Sequence, residues 1–315
     1  MKDGFGRDIC YLRLSVTDKC NLRCVYCMPE GGIKKLRHED ILSIEEIEEI
    51  VRAAAACGIN KVRITGGEPL VRRGIVDICE RIAKTNGIKE VCLTTNGILL
   101  PKFANELKTA GVNRINISLD SLDRMTYNKI TRFDALNDAL EGLNVALKTG
   151  FDAVKVNVVL IGGVNENSIL DMLALTHKHK VDVRFIEIMP IGECADWAKS
   201  KFISADCVLK LSPELQEIGT DGVTKLYKLP GGLGTVGLIS PISSHFCPKC
   251  NRIRITSDST LKPCLHSPEE IKLRGLHGEE LVQTIKTAIY SKPKNHDLEG
   301  KKQSTAARNM NAIGG

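Results

Sequence analysis

Two cysteine triplets stand near opposite ends of the chain, and each is one ligand short of a full set. The first is Cys20, Cys24 and Cys27, in the run Cys20-Asn-Leu-Arg-Cys24-Val-Tyr-Cys27; the second is Cys247, Cys250 and Cys264. A cubane iron–sulfur cluster takes four thiolates, one per iron. Three thiolates leave one iron able to bind something else, and an open position separates a working metal site from a structural one. Two such trios predict two ligands held near two clusters. Zinc is the alternative at both places. At the first trio the alternatives are a zinc knuckle or a thioredoxin-like pair of Cys24 and Cys27, but the nearest histidine, His38, lies eleven residues beyond Cys27. At the second, His245 and His266 flank the cysteines, and three cysteines with a histidine are a common zinc set. Asn251-Arg252-Ile253-Arg254 follows directly, with Arg252 and Arg254 on one face of a predicted strand. A guanidinium fork matches phosphate oxygens; a solvated strand face is the plainer alternative.

Elements must carry these groups. The chain has 315 residues, 43% of them apolar, enough for one large barrel or two domains. Short β-branched runs alternate with amphipathic stretches to about residue 190. Strands are expected at 10–16, 61–65, 90–94, 113–119, 153–160 and 181–188, and helices at 44–57, 72–85, 101–110, 134–149 and 166–178. This alternation predicts an α/β fold with a parallel sheet and helices outside. About six βα units fall short of a closed eight-unit barrel, so a partial, open TIM-type barrel is expected over residues 1–190. After Pro190 come Gly/Pro-rich turns, short strands and the second trio. A smaller C-terminal domain over 191–315, covering the barrel mouth, is expected there.

Side chains on a strand alternate faces. Leu12, Leu14 and Val16 oppose Tyr11, Arg13 and Ser15; Val62 and Ile64 oppose Lys61, Arg63 and Thr65. Ile115, Ile117 and Leu119 oppose Asn116, Ser118 and Asp120, while Val154, Val156, Val158 and Leu160 oppose Ala153, Lys155, Asn157 and Val159. The apolar faces must meet the helices, so the polar faces point inward. A closed barrel fills its interior with branched apolar side chains; this one is expected to hold a wet, cationic cavity that suits an anion. An antiparallel sheet with one solvated face is the alternative.

The net charge of +6 fits an anionic ligand, but the cations form no contiguous stripe and aromatics are only 4%, which argues against a nucleic-acid partner. No run is long and apolar enough for a bilayer, and the start shows no apolar signal segment, so a cytoplasmic, membrane-free location is expected. Twelve cysteines then read as metal ligands or buried thiols rather than disulfides. Cys10, Cys57, Cys79, Cys92, Cys194 and Cys207 lie in apolar segments and read as small core residues.

Cys20-x3-Cys24-x2-Cys27, with Tyr26 before the last cysteine, resembles the radical S-adenosylmethionine (SAM) enzymes. In that family SAM chelates the fourth iron, and an electron from the cluster cleaves it to a 5′-deoxyadenosyl radical. Gly66-Gly67-Glu68-Pro69, after the second strand, is the next match, and by resemblance it holds the SAM amino end. Within the superfamily the chain is similar, essentially end to end, to the GTP 3′,8-cyclases, lyases that open molybdenum cofactor (molybdopterin) biosynthesis. The similarity runs through Leu12-Arg-Leu-Ser-Val-Thr-Asp, Arg63-Ile-Thr-Gly-Gly-Glu-Pro, Thr94-Thr95-Asn96-Gly97, Ile117-Ser118-Leu119-Asp120 and Lys155-Val-Asn157. It continues through Arg184-Phe-Ile-Glu187-Ile-Met189-Pro190 and Cys247-x2-Cys250-Asn-Arg-Ile-Arg254 to Gly314-Gly315.

The resemblance implies two [4Fe–4S] clusters, one on Cys20, Cys24 and Cys27 and one on Cys247, Cys250 and Cys264. It implies SAM at Tyr26, Gly67, Ser118 and Met189. It places GTP at Arg13, Arg63, Thr94, Lys155, Arg252, Ile253 and Arg254, with Lys61 and Arg184 as helpers and the guanine on the open iron of the second cluster. Gly314, Gly315 and Arg13 are implied for turnover, the glycine tail projecting into the site. The implied chemistry takes hydrogen from ribose C3′ and joins C3′ to guanine C8, giving (8S)-3′,8-cyclo-7,8-dihydroguanosine 5′-triphosphate. The partner set is GTP, a reductant the sequence leaves unnamed, and the next enzyme of the pathway, with a homodimer as the assembly to test. Two rivals stand beside it: a radical SAM enzyme with an auxiliary cluster that modifies a peptide or another small molecule, and a zinc-stabilised binding module without catalysis.

Overall fold

A computed structural model describes residues 1–34, 36–296, 304–306 and 308–314. Six strands run as the alternation predicts: β1 (Tyr11–Ser15), β2 (Lys61–Thr65), β3 (Glu90–Thr95), β4 (Arg114–Ser118), β5 (Ala153–Leu160) and β6 (Asp182–Glu187). Between and after them lie α1 (Ile44–Ala56), α2 (Ile75–Lys84), α3 (Leu100–Thr109), α4 (Arg124–Thr131), α5 (Leu136–Thr149) and α6 (Ile169–Lys178). α1 is started by a capping box: the Ser43 hydroxyl accepts from the Glu46 amide at 3.1 Å while the Glu46 carboxylate accepts from the Ser43 amide at 2.7 Å. Its Ile47, Ile50, Val51 and Ala54 share one buried face. α2 begins three residues later than its periodicity predicts. The segment before it, Pro69–Val71, is a tight 3-10 turn held by the Glu68 side chain. α4 is an additional helix between β4 and α5, capped by Asp123, whose side chain accepts from the Thr126 amide.

All six strands are parallel in the order β1 to β6, which removes the antiparallel alternative. The outward residues Leu12, Leu14, Val62, Ile64, Ile115, Ile117, Val154 and Val156 are buried in one core beneath the helices. This burial is what fixes the register, because a one-residue slip would turn every arginine of the opposite face into that core.

The C-terminal third adds α7 (Cys207–Leu211), β7 (Gln216–Asp221), β8 (Thr224–Lys228), β9 (Thr235–Ile239), β10 (Arg252–Ile255), β11 (Thr260–Lys262), β12 (Ile271–Lys272), α8 (Gly278–Tyr290) and α9 (Met310–Ile313). Its strands extend the same sheet at both edges. β9 pairs parallel with β6, and β10 parallel with β1. Antiparallel β8 and β7 continue one edge, and antiparallel β11 and β12 the other, giving one twelve-stranded sheet ordered β12-β11-β10-β1-β2-β3-β4-β5-β6-β9-β8-β7. Eight strands are therefore parallel, the number of a closed barrel, yet β9 and β10 end the parallel run on opposite sides and the sheet stays open. The fold is the expected α/β open barrel. No helix among the described residues is long and apolar enough to cross a membrane.

Glu187 ties the two parts of the chain together. It is fully buried at the end of β6. Its carboxylate accepts from the amides of Ala205 (3.1 Å), Ile242 (3.0 Å) and Ser243 (2.9 Å) and from the Ser243 hydroxyl. Removing it leaves one buried donor, the Ala205 amide, and three partly buried ones without their partner, the buried one alone costing roughly 1–3 kcal/mol. Glu187→Ala is expected to lower unfolding stability by about 3 kcal/mol or more, read as a fall in the urea midpoint; a midpoint unchanged from the parent would show that these bonds do not hold the 240–244 segment.

Candidate active site

The inward faces of the strands enclose a cavity of about 400 Å3, and all six triplet cysteines line it. The first trio lies in the loop after the C-terminal end of β1. The second is split between the segment before β10, with Cys247 and Cys250 at that strand's N-terminal end, and the segment after β11, which carries Cys264. Since β1 and β10 are parallel and paired Tyr11 to Arg252, the Cys247–Cys250 segment and the first trio sit at opposite ends of one strand pair. The four residue steps of β1 separate those ends by roughly 13 Å.

Between them is a band of cations. Arg254, Arg13 and Arg63 are direct neighbours in register on β10, β1 and β2. Arg63 and Arg254 are buried, 7% and 8% exposed. Burial, then the charges on Arg254, Arg252 and Arg63, hold the Arg13 guanidinium well below its ordinary range, with Tyr11 acting the other way. Burial and Arg252 push Arg254 down to about 10 against the pull of Cys250, Cys264 and Tyr11. Tyr11 organises the next row. Its ring carries Lys61, Arg252 and Arg63 at 5.2, 5.7 and 5.9 Å from the centroid, and its phenol oxygen accepts from Arg63 Nε. Arg63 Nη1 also donates to the Thr94 hydroxyl at 3.3 Å. Lys61 pairs with Glu90 at 2.7 Å. Arg252 Nε is buried without a hydrogen-bond partner among the described residues. A row of like charges directly opposite each other is destabilising by itself, so this wall is built for an anion.

The first trio is held differently. Burial pushes the Cys20 thiol up to about 11, Cys27 up to about 12 and Cys24 well above its ordinary value. Cluster loading must therefore displace protons there. Cys20 Sγ accepts from the Leu22 amide at 3.3 Å. The loop is zipped to the Gly66-Gly67-Glu68 turn: the Gly67 amide donates to Thr17 O and the Glu68 amide to Lys19 O, both at 2.8 Å. A Cβ on Gly67 would overlap the Lys19 carbonyl, which is why this position takes glycine. Two buried carboxylates flank the loop. Burial raises Glu68 to about 7 although the Asn96 amide, Leu70 amide and Thr95 hydroxyl donate to it. Burial raises Asp120 to about 6 although the Val159 amide and the Tyr26 hydroxyl, each at 2.8 Å, donate to it. Gly67, Tyr26, Ser118 and Met189 all reach the cavity. Cys194 reaches it too, its thiol directed at Met189 O.

At the second trio burial acts to raise the Cys250 thiol, but Lys292, Arg252 and Arg254 bring it below its ordinary value. Beside it His245 Nδ1 and His296 Nε2 are 3.0 Å apart and the His266 ring packs on His296. Among the described residues, no three His, Cys, Asp or Glu side chains gather as a single metal ion needs. The donor set is instead six unpaired thiols in two threes on one cavity, which fits one thiolate per iron with an iron to spare in each cluster.

Of the residues singled out from sequence, Arg13, Arg63, Thr94, Lys155, Arg252, Arg254, Lys61 and Arg184 all line the cavity. Ile253 does not: its side chain sits in the core under the helices. Gly314 is at the site, its carbonyl accepting from Arg254 Nη1 at 2.7 Å. With φ +82 and Thr65 Oγ1 where a Cβ would go, Gly314 has room for no side chain. Gly315 lies outside the described residues. Tyr11, Asp120, Asp221 and His296 were given no role from sequence, and His245 and His266 were weighed only as zinc ligands. Only their positions in motifs or on inward faces could have marked them; Asp221 follows no motif beyond an Asp-Gly turn.

A model of the Radical SAM superfamily matches residues 14–176, and one of Molybdenum Cofactor Synthesis C matches residues 181–298. GTP 3′,8-cyclases from Alkaliphilus oremlandii and Alkaliphilus metalliredigens are 50% and 52% identical over all of both chains. That of Peptoclostridium acidaminophilum is 49% identical over 99% of this chain and 98% of its own. The chain belongs to the GTP 3′,8-cyclase family of radical SAM proteins. The crystal structure of Streptococcus suis SuiB bound to S-adenosylmethionine shares the fold, with a TM-score of 0.60 at 14% identity over 97% of this chain and 77% of that one. Membership in the GTP 3′,8-cyclase family brings SAM and [4Fe–4S] clusters as cofactors, which disposes of the zinc module. Cys20→Ala is expected to abolish SAM cleavage and to leave about four fewer irons per chain after anaerobic reconstitution. Iron analysis with retained 5′-deoxyadenosine release would remove Cys20 from the ligand set.

Proposed function

We propose that the cavity binds GTP together with SAM and that this chain joins ribose C3′ to guanine C8, the lyase reaction that opens molybdopterin synthesis. The observation that carries it is the arrangement of two unpaired cysteine trios at the two ends of a cation-lined cavity. When bound, SAM and its cluster supply a carbon radical able to take hydrogen from an unactivated C–H. The protein supplies position. Residues 1–190 hold the first cluster on Cys20, Cys24 and Cys27, with SAM against Tyr26, Gly67, Ser118 and Met189. Residues 191–315 would hold the second cluster on Cys247, Cys250 and Cys264, which would supply an open metal position for the guanine.

The triphosphate then lies along Arg13, Arg63, Thr94, Arg252, Arg254 and Lys155, with Lys61 and Arg184 beside them and the backbone of Ile253 between the two arginines. Guanidinium and ammonium donors in a partly dry cavity bind a polyanion far better than a surface patch. A base fixed at one end and phosphates fixed along the wall leave the ribose little freedom, which is the orientation that an internal C–C bond needs. Arg254 does two things here: it faces the substrate and holds the Gly314 carbonyl, so Gly314 and the phosphate wall are fixed by one side chain. The reduced, unpaired thiols support a cytoplasmic setting. A reductant and the next enzyme of the pathway are the partners this function requires, and a homodimer is the assembly to test by light scattering.

The deciding experiment is anaerobic incubation of the reconstituted protein with GTP, SAM and a reductant, followed by mass spectrometry. A cyclised GTP product together with 5′-deoxyadenosine is expected; 5′-deoxyadenosine with GTP left intact would defeat the assignment. Replacing Arg252 and Arg254 together by alanine is expected to weaken GTP binding at least tenfold and to leave substrate-free SAM cleavage largely intact. Equal damage to both would show that these arginines do not serve GTP.

A further inference from the structure

One wall of the cavity is already neutralised from within. Lys155 on β5 and Arg184 on β6 both face the cavity and are fixed in the central strands, their side chains only 6% and 11% exposed. Asp221 faces them. Its Oδ2 accepts from Arg184 Nη2 at 2.6 Å and from Lys155 Nζ at 3.0 Å. Asp182 lies farther from Lys155 Nζ, at 3.4 Å, and the Thr224 hydroxyl accepts from Arg184 Nη1 at 3.1 Å. Arg184 Nε is buried with no hydrogen-bond partner among the described residues. Arg63, Arg252 and Arg254 make no ion pair with a carboxylate side chain among the described residues, so the cavity is neutralised unevenly.

The carboxylate comes from a different kind of structure than the cations do. Asp221 is the last residue of β7, the outermost strand on its edge of the sheet, and every residue of β7 is exposed. The β7–β8 pairing is irregular between Glu217 and Gly219, and Gly222, at φ +62, turns the chain straight after Asp221. The Asp221 side chain is 47% exposed. β8 is anchored, with Thr224 and Tyr227 buried and its residues paired to β9, whereas β7 and the Asp221-Gly222 turn are exposed and open at lower cost than the strands beneath them. Burial acts to raise the Asp221 carboxyl, but Arg184 and Lys155 hold it well below the usual carboxylate range, so it is an anion at any working pH. Burial and Arg184 together lower Lys155, against the pull of Asp221 and Asp182.

We propose that Asp221 is a built-in counter-anion: it holds the Lys155–Arg184 pair while no nucleotide is bound, and phosphate oxygens displace it, moving the exposed end of β7 and the Asp221-Gly222 turn off the cations. A buried pair of like charges with no anion is costly, and a carboxylate on a hinge relieves that cost without blocking the site. Binding then exchanges one internal ion pair for another, which keeps the affinity for substrate lower than the bare cations would give. This deepens the nucleotide reading of the cavity and rests on it.

The test uses Asp221→Asn and Asp221→Ser in the full-length, anaerobically reconstituted protein, with inorganic tripolyphosphate, GTP and guanosine as probes in calorimetry. Both variants are expected to bind tripolyphosphate and GTP about two- to fivefold tighter than the parent, the range for losing one partly exposed competing ion pair. Guanosine, which lacks phosphates, is expected to bind all three proteins alike. In turnover, KM for GTP is expected to fall by the same factor with kcat moved less. Tripolyphosphate binding that is unchanged or weaker in the variants overturns the proposal, as does binding by none of the proteins. A guanosine affinity that shifts in step with GTP overturns it as well, since the effect would not run through the phosphates. Tripolyphosphate binding without GTP binding defeats the nucleotide reading alone, and the comparison of variants with parent still decides the role of Asp221.

Discussion

Three guanidinium groups, Arg254, Arg13 and Arg63, lie side by side across three adjacent strands and point the same way. No packed hydrophobic interior tolerates that row, so the space in front of it must hold polar partners, water or an anion. The rest of the architecture answers this requirement. Tyr11 offers the cations a ring face and a phenol oxygen. The tail offers the Gly314 carbonyl to Arg254. On the far wall Asp221 offers a carboxylate to Lys155 and Arg184. A barrel whose interior were filled with layered branched side chains could close its sheet around them; one that encloses a charged ligand keeps a cavity, and here the eight parallel strands stop with β9 and β10 unjoined.

The same strands set the distance over which the chemistry is spread. β1 and β10 come from opposite ends of the sequence, yet they run parallel and in register. One carries the first cysteine loop at its C-terminal end and the other carries Cys247 and Cys250 at its N-terminal end. Two metal-binding trios are thereby held apart at a fixed spacing by rigid backbone, with the cations between. Position is the main thing such a protein contributes when the hard chemistry belongs to its cofactors. Side chains such as Glu187 under the 240–244 segment and Glu68 under the Asn96 turn hold position: both line the cavity, and the carboxylates of both accept from neighbouring backbone amides.

Local pattern determined much of this. The six strands of the first two-thirds, and which of their faces is polar, follow from period-two alternation, because burial of one face is a local property of the residue order. The helices on those strands follow from apolar periodicity and, at Ser43, from a capping box. The cysteine loops and the glycine turn are legible because their ligands or backbone contacts are close in sequence. α4 was not legible, since Asp123-Arg-Met-Thr-Tyr has no clear apolar stripe and its helix is fixed by a cap and by packing on the first cysteine loop, where the Arg23 and Val25 amides donate to Thr131 and Ile130 carbonyls.

Everything that joins distant segments was decided by tertiary structure alone. Nothing local says that the C-terminal strands extend both edges of the first sheet instead of building their own, because a short strand with free edges pairs wherever the closing chain brings it. Nothing local says that Arg254 meets Arg13, that the Gly314 carbonyl meets Arg254, or that Asp221 meets Lys155 and Arg184. The residue types fix which charges the chain possesses and which way each strand presents them. Only the closure of long loops, with its entropy offset by burial of the whole core, fixes which charges face each other across the cavity.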